Sequence, residues 1–349
     1  MLTSITPSFV LTILLFSSIL KPQSAPKATL LALSKRDHTL AIVDPGSLKV
    51  LGKVPVGEDP HEVIASTDGR TAYVSNYGFG TYNTLAVIDL PGQKALSPVD
   101  LGALRGPHGL VFVGGKVWFT AEAAKAIGSY DPTGKKVDWI LGTGQNRTHM
   151  ICVSGDLKRI VTTNVSSGTV SVIEKTTSQP MAPPPGAPTP PGRPPGARGP
   201  DWDETVIRVG NGSEGFDISP DGREIWVANA QDGTISIIDA AAKKVSETLN
   251  ANVPGANRLK FTPDGHTVFV SSLRSGGVAV IEASTRKEIK RINVGHGAAG
   301  IQMQPDGSRV FIACSPDNYL VVIDLKSLEI TNRIDVGPEP DGLAWAVMQ

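Results

Sequence analysis

The sequence predicts an all-β fold, a seven-bladed β-propeller with four antiparallel strands per blade, its ring closed by a C-terminal inner strand that joins the N-terminal blade. Three observations lead there. A phrase close to xPDGxxxxVxN…VxVID…KVxxxIxVG returns with a period of roughly 42 residues. Charged residues are only 19% of the 349, while Gly at 37 and Pro at 27 supply turn-formers for many short strands. The two chain ends each carry an incomplete copy of the phrase, and the two fragments complement one another.

Three copies are nearly intact, beginning at Ser219, Thr262 and Gln304, and weaker ones begin at Ser66, Gly114 and Ser154. Within a copy, apolar runs of alternating pattern are bounded by Asp-Gly, Asn or Gly-containing turns, as tight-turned antiparallel strands require. In the fifth blade the four strands fall at about Gly215 to Ser219, Glu224 to Asn229, Thr234 to Asp239 and Lys244 to Leu249, called a, b, c and d from the axis outward. One such sheet cannot bury both faces alone, so blades must stack around an axis. Residues 28 to 56 contain strands b, c and d without a, whereas Pro340 to Ala346 is a strand a with nothing after it. Six whole repeats plus this composite make seven, and closure removes the unpaired edges that an open array would expose.

Two segments break the pattern. Residues 1–27 carry an apolar run from Phe9 to Leu20, too short to span a bilayer comfortably, and are expected to be a signal peptide or N-terminal anchor. The chain is accordingly expected to be exported, periplasmic or extracellular, and monomeric, touching a membrane only through that segment if it is uncleaved. Residues 178–204 hold ten of the Pro residues and no hydrophobic periodicity. They read as a loop insertion between strands c and d of the fourth blade, a polyproline-II spacer or a docking site for a proline-recognising partner. Residues 28–349 otherwise form one domain.

Lys plus Arg equals Asp plus Glu, 33 each, with no basic run, so the electrostatic footprint of a nucleic-acid binder is missing. Cys152 and Cys314 fall three blades apart and are not expected to pair. No phosphate-cradling glycine loop, Ser nucleophile elbow or haem-attachment motif is present.

The blocks YVSN at Tyr73 and WVAN at Trp226, the three PDG turns and the recurring VID resemble the YVTN-type repeat of bacterial and archaeal seven-bladed propellers. The resemblance covers nearly all of residues 28 to 349. It implies architecture more than activity, since that family includes lactonase-like, lyase-like and redox-partner propellers as well as surface-layer proteins.

Candidate functional residues are those the fold gathers but does not need. Strand a of each blade starts on the face, here called the top, that also carries the b-to-c loops. Seven residues before the first Asp of each a-to-b turn stands the residue at the mouth of the inner strand. In blade order these are Asp341, His61, His108, His149, Glu214, Asn257 and Ala299; Asp341 and His108 are placed by matching Pro-Asp-Gly to Pro-His-Gly. Three of the six His thus share one register position in adjacent blades. Imidazole and carboxylate are what Zn²⁺, Fe²⁺ or Cu²⁺ takes from proteins, so His61, His108, His149, Glu214 and Asp341 are candidate metal ligands. The alternative is that these histidines hydrogen-bond a neighbouring blade's backbone and close the loops.

Tyr77 and Tyr82, in a b-to-c loop of blade 2 that is longer than its blade 5 counterpart, together with Arg147, Asn257 and Arg258, are candidate ligand contacts. The expected function is a module that binds a small molecule or a protein through its top face. The alternatives are a metal-dependent enzyme using Glu214 or Asp341 as general base, and a structural cell-surface protein, which would leave the mouth ring unspecialised.

Overall fold

The computed structural model describes residues 28–176 and 201–348; the N-terminal segment and most of the proline-rich insertion lie outside the described residues. The described strands form seven four-stranded antiparallel sheets, and the sheets follow one another around a ring. Blade 1 is the composite: Pro340–Val347 pairs with Ala28–Ser34 in the register Leu30↔Trp345 and Leu31↔Ala344, followed by Thr39–Val43 and Val50–Pro55. In blade 5 the strands are Ser213–Ile218, Glu224–Asn229, Thr234–Asp239 and Lys244–Leu249, within two residues of expectation. Strand d of blade 4 begins at Trp202, so the last residues of the expected insertion belong to the sheet. Among the described residues no helix is long and apolar enough to cross a membrane.

Strands b and c are buried on both faces, not alternately, because each blade is sandwiched between two others. Glu224–Asn229 has five consecutive buried residues, and its Trp226 is fully enclosed. Side chains of blade 5 (Ile235, Ile237) pack with those of blade 6 (Leu259, Val268, Val270) into one inter-blade layer. The outer strands d are the most exposed, and Lys136–Gly142 of blade 3 keeps the alternation of a sheet edge.

The inner strands carry the feature that matters for function. In each of blades 2 to 7 the a-to-b register slips across the mouth residue, for example between Pro60 and Val63, Pro107 and Leu110, and Thr148 and Ile151. Such bulges re-aim a side chain out of the alternating pattern. Hydroxyls on strand b stitch the slip: Thr120 Oγ1 accepts from Gly109 N at 2.9 Å and donates to His149 O of the next blade at 2.7 Å. Thr163 repeats this between Met150 N and Glu214 O, and Ser271 between Arg258 N and Ala299 O. The glycine after His108 is required by the same close approach, since a Cβ on Gly109 would lie 2.5 Å from His149 O.

Candidate functional site

Three imidazoles line up around one side of the mouth. His108 lies between its neighbours, its ring centroid 4.9 Å from that of His61 and 3.9 Å from that of His149. They do not serve as loop closers; Thr120, Thr163 and Ser271 hold that role. His108 makes no hydrogen bond to neighbouring backbone, its Nδ1 is buried without a partner, and only 3% of the residue is exposed. His61 has one long contact of this kind, Nδ1 to Asp59 O at 3.4 Å.

Their surroundings divide them. His61 Nε2 accepts from the Lys35 ammonium at 2.8 Å, and Lys35 also faces Asp59 at 3.6 Å and Asp341 at 3.4 Å. His149 is held between two carboxylates: Nδ1 bonds Glu122 Oε1, and Nε2 stands 2.8 Å from Glu214 Oε2, though off the line of a directed hydrogen bond. Burial opposes the charged form of His149, but the charges of Glu214 and Glu122 outweigh it and raise its pKa. Burial likewise lowers His108 well below the ordinary imidazole range, and the neighbouring His149 adds to this. Glu214 is pulled down to about 2 although burial alone would raise it, because His149, Arg258 and Arg147 favour its anion.

The expected five-residue metal set is not brought around one point. Among the described residues, the group whose ligand atoms lie within 4.8 Å of one another is His108, Glu122 and His149. His61 and Asp341 are instead engaged by Lys35, and Glu214 backs His149 from the far side of its ring. Glu122 escaped the sequence reading because it sits outside the mouth register, just after strand b of blade 3 (Lys116–Ala121). It occupies the position of Tyr77 in blade 2, and the two are bonded, Tyr77 OH donating to Glu122 Oε2 at 2.5 Å. Aligning the ends of strands b would have exposed it.

The other candidates divide as well. Tyr77 turns inward against His61 and His108, whereas Tyr82 donates to Glu58 at the rim beside an open pocket of about 500 Å³ that also meets Lys35 and the exposed Phe79. Arg147 reaches Glu122 at 3.5 Å and Glu214 at 3.8 Å. Arg258 crosses the channel to Glu62 at 2.5 Å and also contacts the Asn257 Oδ1. Cys314 is fully buried with its thiol pushed up to about 12, and Cys152 up to about 11, so neither is a ready nucleophile. Both are free.

Backbone conformation adds a signal that residue type alone hides. Two residues before each mouth position the chain is left-handed in all seven blades: Gly106, Gly212, Gly255 and Gly297, but also Asp59, Arg147 and Glu339. A side chain in that conformation costs about 1–2 kcal/mol, which glycine avoids. Three blades therefore carry charge where the backbone favours glycine, and the charges of two of them, Asp59 and Arg147, pair with the mouth cluster.

No protein-family model and no curated protein matches the chain. Solved structures share its fold at low identity. A functionally unknown protein from Desulfotomaculum acetoxidans is 13% identical with a TM-score of 0.72, covering 92% of this chain and 99% of its own. A "putative 6-phosphogluconolactonase" from Bacteroides fragilis is 15% identical with a TM-score of 0.71, covering 93% and 99%. Hydrazine synthase of Kuenenia stuttgartiensis is 17% identical with a TM-score of 0.68, covering 90% and 100%. These similarities establish a seven-bladed propeller and leave activity to the site.

Proposed function

We propose that this chain is an exported, monomeric propeller whose top-face mouth binds a small molecule bearing an anionic group. The observation that carries this reading is the charge placed at left-handed backbone, above all Arg147 at φ 53°. The fold does not need the polar ring, because blade 7 is built with Ala299 at the same register. Buried ionisable groups, even paired ones, are often no more stabilising than apolar side chains of similar volume, so packing alone does not call for them. Arg147 is the mouth cation most open to solvent, its side chain 43% exposed, and its contacts with Glu122 at 3.5 Å and Glu214 at 3.8 Å are long, so an incoming carboxylate or phosphate can compete for it. Lys35, at 23%, offers a second cation on the opposite flank of the histidines. The Arg258–Glu62 bridge spans the channel one residue beyond the mouth positions.

A lactonase-like activity is the second reading. It has the buried His149, held between two carboxylates, and the fold likeness to a lactonase-like structure behind it. The test is a thermal-shift and calorimetric panel of small carboxylates, sugar acids and their phosphate esters, including gluconate and 6-phosphogluconate. At least one is expected to bind wild type and to lose at least about 10-fold in affinity in Arg147→Gly. A panel in which nothing binds, or in which binding ignores Arg147→Gly, removes the reading.

A further inference from the structure

Deepening the reading of the mouth as a ligand site, we propose that His108, Glu122 and His149 form a transition-metal site and that the ion's open positions face the anion-binding mouth. The three residues are buried, at 3%, 5% and 3% exposure, and their ligand atoms lie within 4.8 Å of one another. Independently of that clustering, His108 Nδ1 is buried with no hydrogen-bond partner. A buried ring nitrogen without a partner costs about 1–3 kcal/mol, and no protein group offsets it. A metal ion would.

The groups behind the trio are those a metal site uses. His149 meets Glu122 through Nδ1, and its other nitrogen faces Glu214 at 2.8 Å. Coordinating histidines commonly turn their second nitrogen to a carboxylate, which fixes tautomer and ring orientation. Tyr77, donating to Glu122 Oε2 at 2.5 Å, orients the carboxylate in turn and leaves Oε1 on the side of His149. The ion would take the place of the proton that His149 shares with Glu122. Two imidazoles and one carboxylate suit Zn²⁺ or Fe²⁺ and leave coordination positions unfilled. Beside the trio, Arg147 and Glu214 reach solvent, their side chains 43% and 16% exposed. Arg147 itself contacts Glu122, a proposed ligand, at 3.5 Å, so an anion seated on Arg147 lies next to the site.

The experiment strips the full-length protein with a chelator and titrates it with Zn²⁺ and with Co²⁺ by calorimetry, elemental analysis and visible absorption. One equivalent per chain is expected, with Co²⁺ bands of low-coordinate nitrogen and oxygen ligation and a raised melting temperature. His108→Ala and Glu122→Gln should each weaken binding by at least about 100-fold, and Glu214→Gln by about 10- to 100-fold. His61→Ala should leave affinity within about 3-fold, because its Nε2 already serves Lys35. Absence of saturable wild-type binding overturns the proposal, as does affinity indifferent to both His108→Ala and Glu122→Gln. Should those variants not fold, the wild-type Co²⁺ spectrum decides, and bands lacking imidazole ligation reject the site. Protein that takes up no metal on titration but still binds the carboxylate panel would sink the metal site alone and leave the anion-binding mouth standing.

Discussion

Arg258 of blade 6 meets Glu62 of blade 2 across the channel, guanidinium to carboxylate at 2.5 Å, although the two blades are three steps apart around the ring. Each is the residue after a mouth position, carried into the lumen by the bulge of its inner strand. Both side chains are 13% exposed, so removing one partner leaves a nearly buried charge uncompensated. Glu62→Ala is expected to cost about 3–5 kcal/mol in urea unfolding, and the double variant with Arg258→Met distinctly less than that single change. A double-variant loss equal to the sum of the Glu62→Ala and Arg258→Met single losses would mean that the bridge contributes nothing as a pair.

Arg147 separates stability from function. At φ 53° glycine relieves strain that alanine retains, so Arg147→Gly should unfold about 1 kcal/mol later than Arg147→Ala, while both lose the anionic ligand. A Gly variant no more stable than the Ala variant would show that the loop relaxes freely.

Asp59 should report acid stability. Burial alone would raise its pKa, but the His61 hydrogen bond and charge and the Lys35 charge outweigh it, taking the group from 3.8 to about 2. A carboxylate depressed on folding stabilises above its unfolded pKa, and that contribution, at most about 2 kcal/mol, disappears as pH falls from 3.8 towards 2. Asp59→Asn, which tolerates left-handed backbone, should flatten the fall in urea midpoint across that window. Parallel curves for the two proteins would refute the assignment.

Ring closure rests on the pairing of Ala28–Ser34 with Pro340–Val347. Deleting residues 340–349 removes the inner strand of blade 1 and bares neighbouring edges, so the product should aggregate or lose its cooperative transition. Unchanged melting would contradict the composite blade.

Lys175 pairs directly with Trp202, so the strands flanking the proline-rich segment meet without its help. Replacing residues 178–200 by a short Gly-Ser turn should leave melting within about 1 kcal/mol of wild type and ligand binding unaltered. Unfolding of that variant would show the segment packs as structure.

The periodic phrase was enough to determine blade number, strand order and the composite closure, because each depends on local turn chemistry and on apolar runs repeated in every blade. The register count reached His61 and His149, and matching Pro-His-Gly to Pro-Asp-Gly added His108 to the same layer. Tertiary structure decided which of them act together. Lys35 comes from the turn after the second strand of the composite blade and claims His61, while Glu122 comes from the equivalent turn of blade 3, also outside the counted register, and reaches His149. Register places Cα atoms, whereas a site is made by side-chain tips converging from different strands. The left-handed backbone beneath Asp59, Arg147 and Glu339 was equally hidden, since at those positions the residue type contradicts the conformation that the ring imposes.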